Sequence, residues 1–162
     1  MKMELVHRYP SELNKAFKAL EKLLIGMNYA VFLRHYFDEN SSLNTPFVDT
    51  LRAVLPEKKI VIGGSATYSS KEVILEFKQS LLYVGDDTSD CGCPYPGKLS
   101  SNEFTLEFNA ALSELKKICD SCETIEGVYI KEGHPAYPVF WNFEWLFRSE
   151  NGCHIIIGSS SD

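Results

Sequence analysis

The sequence predicts an α+β fold: a mostly antiparallel sheet with a C-terminal hairpin, packed by three or four helices. Three observations carry this expectation. Residues 139–157 read as two strand-like runs around a Ser149-Glu150-Asn151-Gly152 turn, the signature of a hairpin. Residues 13–27 and 103–119 instead repeat apolar side chains at three-four spacing, the period of an amphipathic helix. Both signals occur within one chain of 162 residues, a length that suits a single globular domain, 1–162, with a sizeable core.

Ser11 caps the first predicted helix, which runs to about Met27 with Leu13, Ala16, Phe17, Leu20, Leu24 and Met27 on one face. Tyr29–Phe37 is dense in aromatic and β-branched residues and predicts a largely buried strand. Asn40–Thr45 reads as a loop. Thr45 then reads as an N-cap with Pro46 at the first helical position, and Pro56 ends that short helix near Leu55. Lys59–Ile62 predicts a short strand ended by Gly63-Gly64. Lys71–Ser80 fits a helix capped by Ser69 or Ser70, with Val73, Ile74 and Phe77 inward; the same letters also alternate as a strand, and periodicity does not choose between them.

Leu81–Val84 reads as a strand, and Asp86–Ser101 as a long loop rich in Gly, Pro, Asp and Ser. Loops of that length inside a domain tend to carry function. Glu103–Cys119 is the clearest helix of the second half. Phe104, Phe108, Ala111, Leu112, Leu115 and Ile118 share its apolar face, and Glu103, Glu107 and Glu114 lie largely off it. Glu126–Ile130 reads as a strand. In the first strand of the hairpin Trp141, Phe143, Trp145 and Phe147 share a face, which we assign to the core rather than to a platform for stacking bases. Asn142, Glu144 and Arg148 share the other. The short Ser-rich end, Gly158–Asp162, reads as a frayed terminus.

All of the net charge of −6 arises between residues 80 and 126, where nine acids stand against three lysines; the rest of the chain sums to zero. Segregated charge creates a local field that attracts cations or basic partners. With a pI near 5.2 and only two short basic pairs, Lys58-Lys59 and Lys116-Lys117, nucleic-acid binding is disfavoured. No apolar run approaches the roughly 18 residues of a membrane span. No apolar export segment opens the sequence, and its five cysteines are an odd number. Reduced thiols and a cytoplasmic location are therefore expected.

Three constellations can carry chemistry. Cys91-Gly92-Cys93 and Cys119-Asp120-Ser121-Cys122 offer four thiols in two close pairs, as a structural zinc would need. The first pair is one residue shorter than the usual knuckle, and Cys119-to-Cys122 sits at a helix C-terminus, the wrong end for a redox dithiol. Metal-free thiols are expected, and no cofactor is implied. His134, in Gly133-His134-Pro135, is the best single candidate for a base, with Cys93 as the matching nucleophile. A structural turn histidine is the plainer reading. Ile60-Val61-Ile62-Gly63-Gly64-Ser65, followed by a helix from Lys71, resembles an anion-binding strand–loop–helix, but it lacks the lysine of a phosphate loop.

An acidic α+β domain with aromatic-rich strands and no assembled active site resembles the small immunity proteins of bacterial toxin systems, such as contact-dependent growth inhibition. The likeness is one of general character across the whole chain. It implies not an enzyme but a toxin inhibitor: a stoichiometric binder of a cognate protein toxin, often a nuclease, with a basic surface. The expected docking surface comprises Asp86, Asp87, Asp90, Tyr95, Glu103 and Glu107, with Tyr83 as a further aromatic beside the acids. The rival expectations are a small enzyme using a thiol or thiol-bound zinc, and a regulatory module for a small anion at Gly63–Ser70.

Overall fold

Four helices and five strands make up the chain in a computed structural model that describes residues 9–85 and 92–162. They are α1 (Glu12–Leu23), β1 (Ala30–Asp38), α2 (Phe47–Val54), β2 (Val61–Thr67), α3 (Ser70–Leu81), α4 (Asn102–Ser121), β3 (Thr124–Glu132), β4 (Asn142–Ser149) and β5 (Gly152–Ser161). The strands form one antiparallel sheet in the order β1-β5-β4-β3-β2. The fold is α+β with the predicted C-terminal hairpin, Ser149 pairing with Gly152 across Glu150-Asn151.

That hairpin is the centre of the sheet. β5 pairs with β4 on one side and, from Asp38↔Cys153 to Ala30↔Ser161, with the whole of β1 on the other. The expected frayed end is therefore wrong: Gly158–Ser161 is sheet, and Ser159 and Ser160 are fully buried. The sequence misleads here because backbone pairing asks nothing apolar of the side chains. Gly158 lies beneath the Phe143 ring, where a Cβ would sit 2.3 Å from a ring carbon. The Ser160 hydroxyl accepts the Trp141 amide at 3.1 Å.

Local chemistry explains the other boundaries. Ser11 caps α1 by accepting the Asn14 amide, as predicted, but the helix stops at Leu23 because the chain turns tightly between Gly26 and Tyr29, leaving Met27 exposed. Thr45 does not cap α2: its hydroxyl accepts the Ser42 amide, and Pro46 takes the cap position. A capping box between Ser69 and Glu72 decides the ambiguous segment for helix, which continues to Leu81; Leu81–Val84 is thus not a strand. Gly63-Gly64 does not end a strand either. β2 runs through both glycines with a shift of register, so the anion loop read from the sequence is edge strand.

Both faces of the sheet are covered. Phe17, Leu20, Phe77, Leu115, Phe143, Trp145 and Ile156 belong to one core, beneath α1, α3 and α4. Leu51, Leu55, Ile130, Leu146, Ile155 and Ile157 form a second, beneath α2. The aromatic stripe is core, as expected: Trp145 is fully buried and stacks on Phe143 at 4.0 Å between ring centroids. The opposite face of β4 is buried as well. Arg148 donates to the carbonyls of Leu43 (2.8 Å) and Thr45 (2.5 Å) and lies over the Phe47 ring, tying the loop before α2 to the sheet.

Asn14 joins α1 to β1, donating to the His35 carbonyl and accepting the His35 amide. The imidazole of His35 extends this buried line, with Ser11 Oγ 2.9 Å from Nδ1 and His154 Nδ1 2.8 Å from Nε2. Burial, with His154 beside it, lowers the His35 pKa to about 3, and burial lowers that of His154 too. Both rings are neutral at pH 7.

Two outcomes are expected. A chain ending at Ile157 loses the Ala30–Leu33 ladder with β1 and, on the other side, the bonds of Val139 and Trp141 to Ser160. At about 1 kcal/mol per backbone hydrogen bond that is about 5 kcal/mol, or about 10–20 °C in melting temperature for a domain of this size. An unchanged melting temperature would restore the frayed terminus. The second concerns acid. Because the folded pKa of His35 lies below its unfolded value of 6.5, the unfolded chain takes up the proton first. Stability is then fully present above pH 6.5 and declines toward pH 3, by about 1.4 kcal/mol per pH unit for one such histidine. Denaturant titrations at pH 7 and 5 should show this loss, and His35→Gln should reduce it.

Candidate functional site

Of the expected docking residues, Asp86, Asp87 and Asp90 lie outside the described residues, as does Cys91. The two ends of that segment are well placed. Gly92 donates its amide to the Met27 carbonyl (3.2 Å), and Tyr95 donates to the Ile25 carbonyl (3.1 Å), fixing the returning strand of the loop against the turn after α1. On the outgoing side, Gly85 stands against the Cys93 side chain. Ile25, Met27, Val84 and Tyr95 lie on the segments that flank this stretch, and each is between 47% and 58% exposed.

Tyr95 leads through the Tyr95–Lys98 and Lys98–Ser101 turns into α4, whose N-cap is Ser101. Glu103 is exposed in its first turn, and Glu107, half-buried, lies one turn further on. Both extend acid beyond that stretch. Tyr83 departs from expectation. It is half-buried and stacks against Tyr29 and Phe140, so its ring serves packing.

Among the described residues the thiol chemistries do not assemble. Cys119 meets Ser70 at the start of α3, whereas Cys93 meets Gly85 beyond its end. The twelve residues of α3 span about 18 Å, so Cys93 cannot share a tetrahedral ion with Cys119 and Cys122. Burial raises the thiol pKa of Cys119 to about 11 and that of Cys153 to about 12, and pushes Cys122 up as well. A poorly ionised thiol is a poor nucleophile. Cys93 itself is buried rather than part of a surface loop. His134 is engaged on both ring nitrogens: Nδ1 accepts the Ala136 amide (3.0 Å), so Nε2 carries the proton and donates to Glu144 (3.1 Å).

That last contact belongs to a place the sequence did not announce. β3 and β4 pair only from Thr124↔Arg148 to Gly127↔Trp145 and then part, β3 following β2 and β4 following β5. The parting opens a cleft of about 260 Å³ lined by Tyr68, Glu76, Gly127, Tyr129, Phe143 and Glu144. Two glycines make room for its walls. A Cβ at Gly127 would stand 2.3 Å from the Tyr68 ring, and one at Gly63 would stand 2.6 Å from Tyr129.

Glu76 projects from α3 and accepts the Trp145 indole N–H at 2.8 Å and the Tyr68 hydroxyl at 3.4 Å. Burial, with Glu144 and Glu72 nearby, raises its pKa. Glu144 is 4% exposed and is held by Asn142 Nδ2 (2.8 Å) and His134. Only the Gly63-Gly64 pair hinted at this cleft, by marking a stretch of strand on which another side chain can lie. No protein-family model, curated protein or solved structure matches this chain.

The thiol geometry gives a direct expectation. Cys119 and Cys153 should react with a disulfide reagent at neutral pH only as fast as the protein unfolds, and denaturant should release them. Fast labelling of Cys119 in the native protein would reinstate a redox role.

Proposed function

We propose that this chain is an acidic immunity protein that binds and blocks a cognate bacterial toxin domain, a nuclease with a basic surface. One observation carries the reading: the whole net charge falls in residues 80–126, and the segments that flank its most acidic stretch expose Ile25, Met27, Val84 and Tyr95. Such a surface suits a partner built to hold phosphate. Carboxylates compete for the cationic site, and opposite charge accelerates encounter. The apolar side chains supply the desolvated centre that charge alone lacks, with Tyr95 as the aromatic anchor. The protein acts by stoichiometric occlusion and needs no cofactor of its own.

The test uses the purified chain and a candidate partner, a nuclease toxin domain with a basic surface. One equivalent should abolish nuclease activity. Replacing Asp86, Asp87 and Asp90 by Asn should slow association about tenfold at low salt, and the difference should vanish at high salt, where the Debye length drops to about 3 Å at 1 M. Tyr95→Ala should instead speed dissociation. Undiminished nuclease activity, or an association rate untouched by both the triple substitution and salt, would overturn the proposal.

A further inference from the structure

We propose that the cleft between the diverging strands β3 and β4 is a binding site for an organic cation, a guanidinium or alkylammonium head group. The site is independent of the acidic stretch and of the docking assigned to it. Its walls are the rings of Tyr68, Tyr129 and Phe143, and its polar groups converge from opposite faces of the sheet: Glu76 from α3 above one face, Glu144 from the other. Phe143 is itself stacked on Trp141 and Trp145, so the aromatic faces that attract a cation are those of Tyr68 and Tyr129. Two carboxylates add the charge that fixes position.

The charge balance asks for such a guest. The ion pairs of the described residues join Glu12, Glu21, Glu114 and Glu126 to lysine or arginine; Glu144 has only the His134 imidazole at 3.1 Å, and none of these pairs includes Glu76. The hydrogen bonds that hold Glu144 come from an amide and from a neutral imidazole, whose other nitrogen accepts a backbone amide. A buried carboxylate satisfied only by neutral donors keeps its charge uncompensated, a costly arrangement. A second carboxylate, Glu76, lines the same cleft and adds to that cost.

The shape selects the class of cation. Calcium and magnesium take about six or more oxygen ligands and zinc about four, and no group of three or more metal-ligating side chains occurs among the described residues. A cleft of about 260 Å³ holds about eight waters at ~30 Å³ each, room for a planar or branched head group and a short stem. It is open at its mouth, where the Tyr129 side chain is 58% exposed. The head group can therefore arrive on a free amine or on an arginine or lysine side chain of another protein.

Trp145 provides the reporter, because its indole N–H bonds Glu76, while the Trp141 indole N–H bonds Tyr29 outside the cleft and serves as reference. N-methylguanidinium chloride is titrated into ¹⁵N-labelled protein, with sodium chloride at equal ionic strength as control. The Trp145 indole signal should shift saturably and the Trp141 signal should not. Glu76→Gln, and separately Tyr129→Ala at the exposed mouth, should each weaken binding about tenfold or more; the second substitution removes no buried group, so it tests the site without risking the fold. An arginine-containing tripeptide with blocked ends distinguishes the sources. Binding much tighter than the free guanidinium assigns the site to a protein side chain, and equal binding assigns it to a small amine. No saturable shift of Trp145, or a shift unaltered by both substitutions, would overturn the proposal.

Discussion

The hydrogen bond from the Trp145 indole to Glu76 is the contact on which the rest of the molecule turns. Trp145 stands in the fully buried middle of β4, stacked on Phe143 and edge-on to Phe147. A buried indole needs an acceptor for its N–H. Here the acceptor comes from α3, so one bond sets the helix over the sheet. It also falls at the last register pair that β3 and β4 share, Gly127↔Trp145. Beyond that pair the strands part, and the carboxylate that satisfies the tryptophan becomes a wall of the cleft. Packing and site are thus built from the same side chains.

A second constraint is the placement of β5. A strand paired on both sides, between the N-terminal strand and β4, makes the fold depend on contacts between the two ends of the described chain. Such long-range pairing forms late and slowly, because loop closure must come before any contact repays it. The polar letters Gly158-Ser159-Ser160-Ser161 suffice there because their contribution is backbone hydrogen bonding, with the Phe143 ring covering Gly158.

The sequence made legible what depends on local chemistry. Helical periodicity, with the cap at Ser11, placed α1 and α4 within a few residues, and alternation identified the hairpin and its buried aromatic face. What it hid depends on distant partners. Ser69 and Glu72 settle α3 only through a reciprocal bond, and Thr45 loses its cap role to a competing amide. Gly63-Gly64 looked like a turn but is a strand thinned for the Tyr129 ring. Glu76 carries no motif at all. Its meaning arises from Trp145, sixty-nine residues away, and from the parting of two strands that no linear pattern records. The acidic stretch is the reverse case. Its charge is plain in the letters, whereas the docking of its returning end on the turn after α1, through Gly92 and Tyr95, appears only in the fold.

The central claim, that Glu76 and Trp145 form one unit joining helix, sheet and cleft, is tested most directly by following both indole N–H resonances as pH is varied. Burial raises the Glu76 pKa above its ordinary 4.5, and its ionisation should be felt through the bond it accepts. The Trp145 signal is expected to titrate with a midpoint above 4.5 and to stop titrating in Glu76→Gln, while the Trp141 signal shows no such Glu76-dependent step. A Trp145 signal that does not change with pH, or that titrates identically in the variant, would contradict the account.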